Sequence, residues 1–150
     1  MCIRDTFDKV QESVRIPFLH IADVTAQKIK DRGLKRVGLL GTKYTMEEDF
    51  YKERLTKLHG LEVVIPEAQD RLTIHDILFR HIRTGKIEKS MTDAFRDIID
   101  RLSGKGVEGI ILGCTEIPLF VKQEDFQIPL FDTTMIHARA AVEFALAENL

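Results

Sequence analysis

The sequence predicts an α/β fold: a Rossmann-like, mostly parallel sheet flanked by helices. Three observations carry that expectation. Short apolar runs alternate along the chain with longer amphipathic ones. Two of the runs, RVGLLG at 36–41 and VEGIIL at 107–112, are nearly continuous, the pattern of strands buried on both faces of a parallel sheet. Each of these runs then empties into a hydroxyl-rich loop with helical spacing beyond it.

In chain order, residues 16–21 (IPFLHI) read as strand-like, with Pro17 suited to a strand start or an edge. Asp23 is placed to cap a helix running through Lys30 and ending near Gly33. After the strand 36–41, Thr45-Met46-Glu47-Glu48 matches a capping box and predicts a helix to about Leu58. LEVVI at 61–65 is a further strand, stopped by Pro66. Helical spacing covers 70–83 and 88–102, and strand 107–112 follows. A brief strand at 129–131 and a closing helix at 134–147 complete the reading, without repeats, low-complexity tracts or a Gly/Ser/Pro-rich linker.

The chain has 150 residues, one domain's worth, enough to bury a core. Its formal net charge of −2, with Lys and Arg interspersed among Asp and Glu, gives no electrostatic case for nucleic acid or an anionic membrane. No run approaches the roughly 20 apolar residues of a membrane span. The N-terminus lacks a signal-peptide core, so the expected location is cytoplasmic. Cys2 and Cys114, without a CxxC or Cys/His cluster, form neither a disulfide framework nor a metal site.

Ligands of open parallel sheets bind beyond the carboxyl ends of the strands. Two loops there are candidates: Gly41-Thr42-Lys43-Tyr44-Thr45 and Gly113-Cys114-Thr115-Glu116. A cysteine between a buried strand and a helix start lies near backbone N–H groups that favour thiolate. Cys114 is therefore either a working thiol or one more small buried residue at a strand end. Thr115 offers a hydroxyl and an N–H to a carboxylate, and Glu116 can orient a neighbour or accept a proton. Thr45 reads as a helix cap that also faces the ligand crevice. Lys86 follows a helix end and reads as a cation near that helix's C-terminus. Neither GxGxxG nor GxxxxGK[ST] occurs, which argues against dinucleotide and Walker-type nucleotide binding. His75 and His81 share a predicted helix at a spacing poor for a common metal, and the five histidines read as solvated or core-edge.

Together the segments RVGLLGTKYTMEEDFYKERL, VEGIILGCTEIPLF and IPLFDTTMIHARAAVEFAL resemble three successive blocks of the aspartate/glutamate racemase family, nearest its broad-specificity branch. IPFLHIADVTAQKIK fits the same family's middle region, so the resemblance runs from Thr6 onward. It implies an amino-acid racemase acting without pyridoxal phosphate or metal. Two cysteines then face each other between two similar α/β domains, one as base and the other as acid. Cys114 matches the second of these cysteines, and Thr115 the adjacent carboxylate-binding threonine. Thr42 and Thr45 match the hydroxyls of the GTxxT loop, Lys86 a lysine near the cleft, and Glu116 a site-adjacent position. A small amino acid is the implied partner, and a homodimer an expected assembly.

The sequence departs from the family where the first cysteine belongs. Aligned on Thr6, Arg4 holds the cysteine's place in the C-N-T motif and Asp5 the asparagine's, while Cys2 falls two residues early. The resemblance divides the chain into 1–24 as a remnant of an N-terminal domain, 25–128 as the C-terminal domain, and 129–150 as a strand and helix returning to the first. A chain with one thiol of the pair is expected to lack full activity, and its closing helix to expose an apolar face. Two other readings of the residues stay open: Cys114 as an acyl-transfer nucleophile, which needs a histidine base within reach, and a ligand-binding module without turnover.

Overall fold

The apolar runs become four strands, β1 (Arg36–Leu40), β2 (Glu62–Val64), β3 (Gly109–Leu112) and β4 (Leu130–Asp132). They are described, with all of residues 7–147, by a computed structural model. All pairings are parallel, in the order β2-β1-β3-β4. Val37 lies opposite Val63 on one side and Gly109 on the other, and Ile111 opposite Phe131. Strand periodicity then sorts the side chains into two layers. Val37, Leu39, Ile111 and Phe131 pack against Ala22, Ala26 and Ile29 of a helix at Ile21–Lys30. Leu40, Ile110 and Leu112 meet Ile74 and Leu78 of a helix at Ala68–Thr84, and Phe95, Ile98 and Leu102 of one at Lys89–Gly104. Close packing explains the strand glycines: a Cβ on Gly38 would lie 2.7 Å from Ile110 Cδ1, and one on Gly109 2.7 Å from Phe131 Cε2.

The α-helices in chain order are α1 (Phe7–Ser13), α2 (Ile21–Lys30), α3 (Lys43–Glu47), α4 (Asp49–Glu53), α5 (Ala68–Thr84), α6 (Lys89–Gly104), α7 (Ile117–Phe120) and α8 (Thr133–Ala147). A π turn at Arg54–Leu58 continues α4. No helix among the described residues is long and apolar enough to cross a membrane.

Residues 16–21 do not form the expected strand. Residues 16–20 run as irregular chain into α2, with Ile16 and Phe18 exposed and no described strand beside them to pair with. Phe18 and His20 stand edge-on to the Phe7 ring, at 5.6 and 4.7 Å between centroids. His20, not Asp23, caps α2, its Nδ1 accepting from the Ala22 N–H at 3.0 Å. Asp23 is engaged elsewhere. It accepts from Arg54 Nε at 2.7 Å, Arg54 Nη2 at 2.8 Å and His59 Nε2 at 2.8 Å, tying α2 to the π turn. The helix expected from Thr45 to Leu58 starts earlier, at Lys43, and is broken at Glu48, whose backbone is extended.

Residues 130–132 form the outer strand of this sheet, and α8 packs on α2. His137 Nε2–H donates to the Leu19 carbonyl at 3.1 Å across that contact. Of the fifteen residues of α8 only Thr133 is buried, and Met135, Val142 and Leu146 stand exposed. A helix apolar on every side is ordinarily an interior one.

The Asp23 cluster yields a stability prediction. Burial pushes its carboxyl up, but the Arg54 and His59 hydrogen bonds and the Arg54 charge more than offset that and hold it below its ordinary 3.8. Asp23→Asn should lower stability by about 2 kcal/mol and the melting temperature by roughly 6 °C at neutral pH. A carboxyl with a depressed folded-state pKa stabilises fully above its unfolded value and loses that contribution as pH falls through the folded one. Thermal melts of the two proteins should therefore converge below pH 3.8.

Candidate active site

β1 and β3 are adjacent, yet the chain leaves β1 toward β2 on one side and β3 toward β4 on the other. The crevice beyond their carboxyl ends is where an open α/β sheet takes its ligand. Both candidate loops open onto it.

The first loop is built around two threonines. Thr42, not Thr45, caps α3, its Oγ1 accepting from the Thr45 N–H at 3.3 Å. The capping-box pattern misplaces the helix start because the Thr45 N–H is taken by the Thr42 hydroxyl, three residues earlier. Thr45 lies inside α3, buried to 7 % exposure, its hydroxyl 3.1 Å from that of Thr42. It is wedged between the two loops. A Cβ on Gly41 would fall 2.8 Å from Thr45 Cβ, and one on Gly113 3.3 Å from Thr45 Cγ2 and 2.8 Å from the Leu40 carbonyl. Gly113 N–H donates to that carbonyl at 2.7 Å. Thr45 therefore fixes the distance between the loops, while Thr42 stands nearer their rim.

The second loop carries the chemistry. Cys114 Sγ–H donates to Glu116 Oε2 at 2.8 Å. Glu116 is held below its ordinary 4.5, first by that thiol, then, against burial, by the Thr115 hydroxyl, its own backbone N–H and the charge of His81. The Cys114 thiol and the Glu116 carboxylate thus form a hydrogen-bonded donor–acceptor pair.

Lys86 comes to this site only through its backbone. α5 ends at Gly85 in the left-handed conformation, φ 66°, and the exposed Lys86 follows. The Lys86 carbonyl accepts from His81 Nδ1–H at 2.9 Å, and the His81 ring stands edge-on to Phe120 of α7, centroids 5.2 Å apart. His81, read from sequence as a solvated histidine, is thus the residue that joins the α5 end to the Cys114 loop.

A cavity of about 360 Å³ opens on the α8 side of the loop, lined by Ile21, Gly113, Thr115, Thr133, Thr134 and His137 among others. That is within the range of small-ligand sites. Thr133 Oγ1–H donates to the Leu112 carbonyl at 2.8 Å, which seats it beside Gly113. Asp132 Oδ1 accepts from the N–H groups of Thr134 and Met135 at 2.9 and 3.1 Å. Sequence reasoning missed Thr133, Thr134 and His137. The strand-end rule that selected the other two loops points equally to this one, which follows β4. Among the described residues no group of three or more His, Cys, Asp or Glu is placed to hold a metal ion. Cys2, Arg4 and Asp5 lie outside the described residues.

A parallel sheet with a thiol–carboxylate pair and clustered threonines at its switch point defines an α/β domain with a candidate small-ligand site at its strand ends. Residues 2–141 match the Asp/Glu/Hydantoin racemase family, and the chain belongs to it. A protein described as lying in the pnlA 3′ region of Pectobacterium carotovorum subsp. carotovorum is 33% identical over 145 residues, covering 95% of each chain. A glutamate racemase of Limosilactobacillus reuteri is 28% identical over 146 residues, 93% of this chain and 52% of that one. An aspartate racemase homologue from Pyrococcus horikoshii superposes with a TM-score of 0.84 at 40% identity, over 93% of this chain and 61% of that one. A candidate Asp/Glu racemase from Yersinia pestis gives a TM-score of 0.93 at 46% identity, over 96% and 63%. The chain thus spans about half the length of that glutamate racemase and somewhat more of the two solved structures.

The thiol–carboxylate pair can be tested directly. Glu116→Gln removes the anion that disfavours thiolate, so iodoacetamide at pH 7 should alkylate Cys114 at least about threefold faster. Peptide mapping by mass spectrometry separates Cys114 from Cys2, and an unchanged rate would show that the thiol does not sense Glu116.

Proposed function

We propose that this chain carries one thiol face of an amino-acid racemase site, in which Cys114 exchanges the proton on a substrate's α-carbon without pyridoxal phosphate. The observation that carries this reading is the Cys114–Glu116 hydrogen bond on the loop after β3, beside the threonine-lined cavity. The family supplies the reaction class.

The chemistry follows from the residues. An α-proton is weakly acidic, and inversion requires a base on one face and an acid on the other. As acid, Cys114 gives its proton to the α-carbanion: the S–H bond breaks, the Cα–H bond forms, and a thiolate remains beside Glu116. Two adjacent anions are unfavourable, which drives reprotonation of the sulfur. In the opposite direction that thiolate removes the α-proton and returns to the thiol. Thr115 presents its N–H to the substrate carboxylate, its hydroxyl being given to Glu116, with Thr42 at the rim. Thr45 acts as a spacer, and Lys86 stands outside this set as a cation for an acidic substrate side chain. The place of the second thiol is held by Arg4 in this chain, so Cys114 serves one face alone.

The reading predicts α-proton exchange, followed by NMR in deuterated buffer against L- and D-aspartate, L- and D-glutamate and neutral amino acids. Exchange should be detectable for one enantiomer series with little inversion, and fall by about a hundredfold or more in Cys114→Ala. Joining the chain to a C-N-T-bearing racemase half should add inversion. Absence of exchange in the joined, folded protein would remove the racemase reading and leave a ligand-binding module.

A further inference from the structure

The cavity on the α8 side of the Cys114 loop is walled by side chains whose protons are already committed. A hydroxyl or a neutral imidazole has one proton to give, and once that proton serves the fold, only lone pairs are left for a ligand. Thr133 Oγ1–H donates to the Leu112 carbonyl at 2.8 Å. The Thr115 hydroxyl is given to Glu116. His137 stands 3.1 Å through Nε2 from the Leu19 carbonyl, which can only accept, so the neutral ring carries its proton on Nε2 and its lone pair on Nδ1. All three residues line the cavity. Thr134 lines it too, with a hydroxyl that has no partner among the described residues.

The charges behind this wall have one sign. Glu116 accepts from Thr115, and Asp132 Oδ1 accepts from the Thr134 and Met135 N–H groups, which also offsets the positive start of α8. No Lys or Arg lines the cavity among the described residues, and its remaining wall is Ile21, Ala138 and Ala141. Lone pairs backed by carboxylates and bordered by small apolar groups suit a ligand that brings several N–H donors and a positive charge on a short hydrocarbon. A carboxylate placed there would meet acceptors and like charges instead.

We infer that this cavity seats a primary ammonium group, held by Thr133, Thr134 and His137. That the ammonium belongs to an amino acid rests on the racemase reading. The substrate carboxylate then meets the Thr115 N–H while the ammonium enters the cavity, and the α-carbon between them is brought to the loop that carries Cys114. Thr133, Thr134 and His137 are positioning residues in this arrangement, and none of them moves the α-proton.

Binding tests the inference without turnover. NMR titrations of the full chain at pH 7 compare alanine with lactate and aspartate with malate, pairs that differ in an ammonium or a hydroxyl at the α-carbon. Each amino acid should bind at least about tenfold more tightly than its hydroxy acid. Thr134→Lys puts a cation into the cavity at a hydroxyl the described fold does not use. The folded variant should bind alanine at least about tenfold more weakly and lactate no more weakly than before, whereas a damaged fold weakens both. Proton–nitrogen correlation spectra should show His137 as the Nε2–H tautomer. Equal affinities within each pair, no binding by any of the four, a folded Thr134→Lys variant that treats alanine and lactate alike, or the Nδ1–H tautomer each overturns the inference. Amino-acid preference without α-proton exchange keeps the ammonium site and removes the racemase reading, and exchange without preference does the reverse.

Discussion

The parallel pairing of β1 with β3 is the constraint on which the rest of the molecule depends. It sets Leu40 opposite Leu112 and so brings both strands to an end at the same level. Both are buried on both faces, so a slip of one residue would exchange the side chains of two packed layers. With that register fixed, the chain has no freedom in where Gly41 and Gly113 fall. The threonines of one loop and the thiol of the other are neighbours because two hydrophobic strands agree on their alignment.

On this frame the polar chemistry is economical. One carboxylate, Glu116, takes hydrogen bonds from Cys114 and Thr115 and lies in the field of His81, so a single group couples the thiol, the rim hydroxyl and the end of α5. Its position two residues beyond the cysteine is a matter of loop shape and not of helix spacing, because α7 begins only at Ile117. The cavity lies on the other side, where β4 delivers Thr133 and Thr134. The ends of two neighbouring strands, β3 and β4, thus line it.

The sheet was legible in the sequence because burial on both faces leaves a continuous apolar signature, and 36–41 and 107–112 carry it. The helix starts were less so. Thr45 has the spacing of a cap, but the hydrogen bond goes to Thr42, and nothing in a one-dimensional pattern tells which of two hydroxyls three residues apart receives the N–H. Asp23 likewise has the chemistry of a cap and is taken by Arg54 and His59, which lie 31 and 36 residues away. The strand expected at 16–21 does not form: Ile16 and Phe18 stay exposed, and an apolar run beside a proline does not tell whether a strand lies next to it to complete a ladder. Cys114, Thr115 and Glu116 stand out in the sequence because strand ends are where ligands bind. His81 was passed over because its role depends on Phe120, far off in sequence.

The wedge of Thr45 against Gly41 has a bearing on how such chains can diverge. The two positions share one pocket of space, and a methyl group added at 41 would overlap the branched carbon at 45. Either residue changed alone to something larger is blocked, while an exchange of bulk between them leaves the total volume unaltered. Bulk added at one of these positions must therefore be matched by bulk removed at the other.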